Sequence, residues 1–384
     1  MKIGLYIKDI LYVTGGTESY TVRMAQALQR IYPEANIHFV TECYSKKSMP
    51  SHDDFVRTLD SKYGTQLRSK GIFLDAVYGS NKNKIFSLFL RKKIENHSKG
   101  FDLFFYCSRG HYIFKARKNI AIIHFPMEKL FTIKKNSNPI SKFFARIKDK
   151  KYAESYKLFL PNSNFTKAHL QKLWPEIPEN KIKLLYPPVL PIPQLNLQKK
   201  NQIFVCSRLE RDKNLEALMD AYKSSDFLVN NYSLIIAGGS DEGSIYLPEL
   251  IEHTRGYNIS VLDNKPFSEI AKLYNESKVF WHCKGYGIDE NTEPYKCEHF
   301  GITTVEAMSA GCVPIVINKA GQKEIVQNEC GEKWLTLEEL TEKTERLAKD
   351  EKLQAVYAEN AKKRAKEYFL DSFTENLRNI LNNL

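Results

Sequence analysis

Short apolar runs alternate with longer stretches of helical periodicity along the whole chain, and this rhythm constrains the fold more than any other feature. A short buried strand followed by an amphipathic helix is the repeating βαβ unit, which builds a parallel sheet covered on both faces. In the first half the strand candidates are KIGLYI, IHFVT, DLFFYC, AIIHF and YKLFLP; in the second they are IFVCSRL, SLIIAGG, SVLD, VFWHC and VPIVI. Between the halves lies YPPVLPIPQLNLQKKNQ, residues 186–202, where four prolines in eight residues preclude a helix and Gln and Lys indicate exposure. The pattern predicts an α/β protein of two doubly wound, Rossmann-like domains, 1–190 and 201–367, with a last helix at 368–384 after a break near Tyr368. The length agrees, since 384 residues exceed what one core usually serves. Ligands are then expected at the carboxyl ends of the strands, in a cleft that the two domains face.

Composition narrows the class. Apolar residues make up 42%, yet no run approaches the eighteen that a spanning helix needs, and MKIGLYIKDI is interrupted too soon by Lys8 and Asp9 to be a signal peptide. Seven cysteines, an odd number with several inside apolar runs, suit reduced thiols in a cytoplasmic protein. The formal charge of +12 asks for an anionic partner: nucleic acid, lipid or a phosphorylated small molecule.

Three motifs fall at strand ends. TGGTES, residues 14–19, leads from the first strand into a helical pattern. Gly15 and Gly16 there permit unusual backbone angles, so that N–H groups and a helix start can receive an anion; a plain tight turn is the alternative. SRLERDKN, residues 207–214, carries Arg208 and Lys213, a guanidinium fork and an ammonium point charge that can both reach a diphosphate, or can simply be solvated. EHFGITTVEAMSAG, from Glu298, reads as a loop and then a helix whose first N–H groups, around Ile302 and Thr303, favour negative charge, with Gly301 permitting close approach. Glu298 and Glu306 are ionised acceptors suited to vicinal hydroxyls. A capped amphipathic helix is the competing explanation.

The stretch from Glu298 to Glu306 resembles the EX7E motif of family 4 retaining glycosyltransferases with the GT-B fold. The diglycine, the Arg208 and Lys213 pair, IIAGG at 235–239 and a closing helix pair stand in the order of that family. The resemblance implies an N-terminal acceptor domain and a C-terminal nucleotide-sugar domain. It further implies that Arg208 and Lys213 neutralise the donor diphosphate, Glu306 holds the ribose and Glu298 holds hydroxyls of the transferred sugar. The backbone from Phe300 through Gly301 and Ile302 to Thr303 would close over sugar and phosphate. Gly238 would lie by the donor, Gly15 and Gly16 would face the diphosphate, and His124 would stand near the reacting face of the sugar. AIIHFPM, LPNSNFTKAHLQKLW and LLYPPV are similar to mannosyltransferases that use GDP-mannose to extend lipid-linked oligosaccharides.

The chain has no Asp-x-Asp motif, so a metal clamp is not indicated, and no carboxylate is evident as a double-displacement nucleophile. His282, Cys283, Cys297 and His299 offer zinc ligand types but lack the usual CxxC spacing. From Lys129 to Lys151 eight Lys and Arg stand against one acid, Asp149, and Ile140, Phe143, Phe144 and Ile147 recur at helical spacing. Two readings of that segment remain open: an interfacial helix on anionic lipid at the cytoplasmic membrane face, or ordinary core packing. No nucleic-acid-binding motif accompanies it. The expectation is a transferase that moves a hexose, such as mannose, from a GDP- or UDP-sugar to a glycan or polyprenyl-linked hydroxyl with retention, with no cofactor. The alternatives are a glycan phosphorylase, a sugar-nucleotide hydrolase or a non-catalytic nucleotide-sugar binder.

Overall fold

The structure, a computed structural model, describes residues 1–12, 15–43, 49–75, 84–127, 129–130 and 139–384. Thr14 of the glycine motif, positions 131–138 of the basic segment and the Ile140 side chain lie outside what is described. The chain divides into two units, Met1–Pro188 with Leu370–Leu384, and Val189–Phe369. The proline-rich stretch is therefore not wholly a spacer: the division falls at its start, and residues 189–202 belong to the second unit.

The first unit holds a sheet of β1 (Lys2–Tyr6), β2 (Asn36–Cys43), β3 (Ser69–Asp75), β4 (Leu103–Tyr106), β5 (Lys118–Ile123) and β6 (Leu158–Pro161). Its order is β3-β2-β1-β4-β5-β6, with every pair parallel. The second holds β7 (Lys200–Cys206), β8 (Ser233–Gly238), β9 (Ile259–Asp263), β10 (Ser277–His282), β11 (Val313–Ile317) and β12 (Glu332–Trp334), in the order β12-β11-β10-β7-β8-β9. Counted from its own first strand, the second sheet repeats the order of the first. Both are doubly wound, with helices on both faces, which is why strands such as β4 and β11 are buried at every position.

Two strands escaped the apolar-run reading, and both are edge strands. β3 reads SKGIFLD, with a polar start and Gly71 inside it, and β12 has only three residues, EKW. An edge strand packs against one neighbour and tolerates polar residues, so the hydrophobic signal fades there. The break near Tyr368 is a single 3₁₀ turn, after which the helix Leu370–Asn382 sends Leu370, Phe373, Leu377 and Leu381 into the first unit's core beside Ile3, Leu5 and Val22. Their spacing of three and four residues is one helical face, and each buried side chain contributes roughly 1.5–3 kcal/mol. No helix among the described residues is long and apolar enough to cross a membrane.

Candidate functional site

In a doubly wound sheet, ligand-binding loops gather where the chain leaves adjacent strands in opposite directions. In the second unit that point lies between β7 and β10. Beyond β7 the chain forms a 3₁₀ turn at Arg211–Lys213 before the helix Leu215–Lys223. Beyond β10 it runs through Cys283 and Lys284 to Glu298 and the helix Ile302–Ser309. A small cavity there is lined by Ser207, Lys213, His282 and Lys284, among others.

Lys213 and Glu298, 85 positions apart by the numbering of the sequence, meet in space. Lys213 Nζ stands 3.9 Å from Glu298 Oε2 and 4.0 Å from Asp212 Oδ2, while Lys284 Nζ stands 3.3 Å from Asp212 Oδ2 and His282 Nε2 3.8 Å from Glu298 Oε2. Most of these separations exceed hydrogen-bond length, so the cluster is held chiefly by charge. Burial disfavours ionised Glu298, yet the His282 imidazole and the ammonium groups of Lys213 and Lys284 outweigh it and hold the carboxyl far below its usual range. Burial lowers the Lys213 ammonium, and Glu298 opposes that while Lys284 adds to it. Burial likewise keeps His282 neutral against the pull of Glu298. Two cations beside each other are an unfavourable pair that an arriving polyanion would relieve.

Arg208 is not drawn into this cluster. Its side chain is 65% exposed, against 11% for Lys213, and its guanidinium pairs with Glu210. An exposed pair of that kind contributes at most about 1 kcal/mol, so exchanging Glu210 for a phosphate costs little.

The helix Ile302–Ser309 starts at Gly301 without a side-chain cap, leaving its first N–H groups open to an anion. Gly301 has φ 126°, and a Cβ there would lie 2.2 Å from Gln322 Nε2. Its smallness therefore admits the Gln322 amide, and the close neighbour is protein. Gln322 is fully buried, receives the Thr304 hydroxyl at 3.0 Å and donates to the Phe300 carbonyl at 3.4 Å, while Gly321 N–H donates to the Glu298 carbonyl at 3.0 Å. The Phe300 ring turns inward against Tyr368, at 5.4 Å between ring centroids, so only its backbone can meet a ligand. Glu306 does not touch Glu298; it accepts the Tyr274 hydroxyl at 3.0 Å, and burial pushes its carboxyl up to about 7. Tyr274 also reaches the Thr303 carbonyl, at 3.4 Å.

Gly238 ends β8, where a Cβ would lie 1.6 Å from the Ser207 carbonyl oxygen. The glycine thus sets the path of the loop that carries Arg208. Gly238→Ala is expected to destabilise the second unit by about 3 kcal/mol and to displace that loop, which a denaturant titration and a parallel nucleotide-binding assay would read. Unchanged stability would show that the loop position is soft.

In the first unit, Gly15 caps the helix Gly16–Ile31 in an extended conformation, φ −161°, and neither glycine has a positive φ. The pair permits unusual angles but does not adopt the left-handed ones, and the buried Glu18 carboxylate folds back over the helix start, where a Cβ on Gly15 would lie 3.0 Å from its Oε2. His124 follows β5 and packs edge-on against Tyr20, with 5.3 Å between ring centroids. Burial, aided by Arg109, lowers its imidazole to about 4, so it is neutral at physiological pH; one nitrogen bonds the Cys107 backbone and Nε2 has no partner among the described residues.

The sequence reading missed Lys284, Tyr274 and Gln322 and took His282 only as a rejected zinc ligand. Their one available signal was position, at or near the ends of strands beside the switch point. Among the described residues no three of His, Cys, Asp and Glu converge as a metal site requires.

The family described as "Glycosyl transferases group 1" matches residues 192–364. The chain is 27% identical over 248 residues to an alpha-1,3/1,6-mannosyltransferase, ALG2, of Rhizomucor pusillus, covering 55% of this chain and 53% of that protein. It is 26% identical over 190 residues to a GDP-Man:Man(3)GlcNAc(2)-PP-Dol alpha-1,2-mannosyltransferase of Dictyostelium discoideum, covering 44% and 35%. The chain thus spans about half, or less, of the length of these relatives. Among solved structures, Anabaena HepE in complex with UDP-glucose superposes over 100% of both chains with a TM-score of 0.67 at 15% identity. A glycosyltransferase from Rickettsia africae superposes over 99% and 97% with a TM-score of 0.71 at 17% identity. Residues 192–364 are thus similar to the group 1 glycosyltransferases, and the chain has the GT-B fold.

Proposed function

We propose that this protein is a hexosyltransferase that moves mannose from GDP-mannose to a hydroxyl of a lipid-linked glycan, with retention of configuration and without a metal ion. The observation that carries the reading is the meeting of Lys213 and Glu298, 3.9 Å apart, beside the uncapped start of the helix Ile302–Ser309. The names of the relatives favour mannose over other hexoses and GDP over UDP. In this account Lys213, assisted by Lys284 and by an Arg208 released from Glu210, neutralises the donor diphosphate. The N–H groups of Ile302 and Thr303 bind the same phosphates, Glu298 accepts hydroxyl hydrogens of the sugar, and Glu306 accepts those of the ribose. Gly238 holds the Arg208 loop in place. In the first unit, taken by itself, the helix start at Gly15 and Gly16 would take an anion only with the Glu18 carboxylate displaced, and the unprotonated Nε2 of His124 is an acceptor for a hydroxyl hydrogen.

The bond from the anomeric carbon to the diphosphate oxygen breaks as the acceptor oxygen bonds that carbon on the same face. The acceptor proton passes to the departing phosphate oxygen, so the charge that must be stabilised develops on the diphosphate, beside Lys213. The protein would work at the cytoplasmic face of the membrane that holds its acceptor.

A thermal-shift panel of UDP, GDP, ADP and their sugars tests the donor, because a ligand at a hundred times its Kd stabilises the native state by about 2.7 kcal/mol. GDP and GDP-mannose are expected to raise the Tm most. Release of GDP without acceptor would mark a hydrolase, and sugar release that needs phosphate would mark a phosphorylase.

The Glu306 carboxyl gives this binding a pH signature. With its pKa pushed up to about 7, it is protonated below that pH and cannot accept both ribose hydrogens, so affinity rises with pH. Between pH 6 and pH 8 the nucleotide Kd should fall roughly tenfold, since one pH unit below a pKa leaves about a tenth ionised. Glu306→Gln should bind weakly with a flat profile. A flat profile in the unaltered protein would remove Glu306 from the ribose. The same shift means that ionising Glu306 costs stability as pH rises from the unfolded carboxylate range through about 7.

A further inference from the structure

The helix Pro139–Ser155 is buried on the stripe opposite its apolar periodicity. Its inward residues are Asp149, Tyr152 and Ala153, and Asp149 takes an ion pair from Lys129 with His111 Nε2 at 3.7 Å. At about 100° per residue, Phe143, Phe144 and Ile147 fall on the far side. All three are exposed, Phe143 by 62% and Phe144 by 64%, so the core-packing reading of this face does not hold. The only acid between Lys129 and Lys151 is withdrawn into the protein, while Lys142, Arg146, Lys150 and Lys151 stay exposed around the phenylalanines.

A second helix does the same. Lys84–His97 buries Leu90 and Ile94 and presents Leu88, 57% exposed, and Phe89, 71% exposed, with Lys92 and Lys93 exposed one turn on. The two helices are neighbours, since Lys148 feels the charges of Arg91 and Glu95, and His111 feels both Lys148 and Arg91.

We propose that Leu88, Phe89, Phe143, Phe144 and Ile147, framed by the lysines and arginine of these two helices, dock the first unit on an anionic lipid bilayer. Separate aromatic tips insert among acyl chains without needing a complementary groove, and the surrounding cations pair with lipid phosphates. A second copy of this face would bring like charge against like, which disfavours self-association. The inference rests on the proposed lipid-linked acceptor for its purpose, and its test does not depend on catalysis.

The test is co-sedimentation of the whole protein with vesicles of equal phosphatidylglycerol and phosphatidylcholine, compared with phosphatidylcholine alone. Binding is expected on the anionic vesicles at about 0.1 M salt, weakened at least about tenfold on neutral vesicles and at about 0.5 M salt. The double variants Phe143→Ser with Phe144→Ser, and Leu88→Ser with Phe89→Ser, should each weaken it about tenfold while leaving Tm and the nucleotide thermal shift unchanged. Absence of binding to anionic vesicles, equal binding to neutral ones, full binding by both variants, or a dimer that Phe143→Ser with Phe144→Ser dissolves would each overturn the proposal. Failure of the donor reading would show separately, as a missing nucleotide shift in a protein that still binds vesicles.

Discussion

Lys213→Ala is expected to lower kcat by about 10²–10³, some 3–4 kcal/mol of transition-state stabilisation, while the acceptor KM changes by only a few fold. The size follows from where charge develops in the proposed reaction: on the departing diphosphate, beside which Lys213 is the most buried cation. A purely structural Lys213 predicts otherwise. Removing one partner of a buried ion pair costs about 3–5 kcal/mol of stability, so such a variant would lose Tm and yield of folded protein, while the folded fraction kept its kcat. Steady-state rates on folded protein, with Tm measured alongside, separate the two. A folded Lys213→Ala with unaltered kcat would remove this residue from the diphosphate.

Glu298→Gln should lose about 10² in kcat/KM, because a neutral amide replaces an acceptor-only carboxylate facing sugar hydroxyls. Binding of the free nucleoside diphosphate should hold or tighten, since a negative charge near the phosphates disappears while Lys213 and Lys284 remain. The two effects together are diagnostic: a general collapse of the site would weaken both. The depressed Glu298 carboxyl also fixes a pH sign. A lowered folded pKa contributes stability above the unfolded carboxylate range, and that stability is lost as acid takes the group through its folded value. Protonation of Glu298 is therefore not expected to limit the rate at any pH from about 5 upward.

Much of the second unit's site was legible because its parts are local. Glu298, Gly301 and Glu306 lie within one loop and one helix, and Lys213 follows directly from a strand end. Lys284 and Gln322 were not legible, because their role comes from sheet order: β10 lies beside β7, and the Gly321–Gln322 turn packs under the Glu298 loop. Nothing in the residues themselves records that adjacency. Gly15 and Gly16 were legible only as a place where unusual backbone angles are allowed; neither has a positive φ, since glycine permits such angles without requiring them. The basic helix left two readings open for a related reason: helical periodicity of apolar residues marks a face but does not say whether protein or solvent covers it. The fold itself was read from short buried runs, and it was missed only at β3 and β12, where one-sided packing weakens the pattern.

The central claim is that the second unit binds the diphosphate of a sugar nucleotide with Lys213 and the amino end of the helix Ile302–Ser309. A crystal structure with a bound GDP-sugar tests it most directly. Phosphate oxygens are expected within hydrogen-bond distance of Lys213 Nζ and of the Ile302 and Thr303 N–H groups, ribose hydroxyls on Glu306, and sugar hydroxyls on Glu298. Density for the nucleotide away from these groups, with Lys213 still turned only to Glu298 and Asp212, would contradict it.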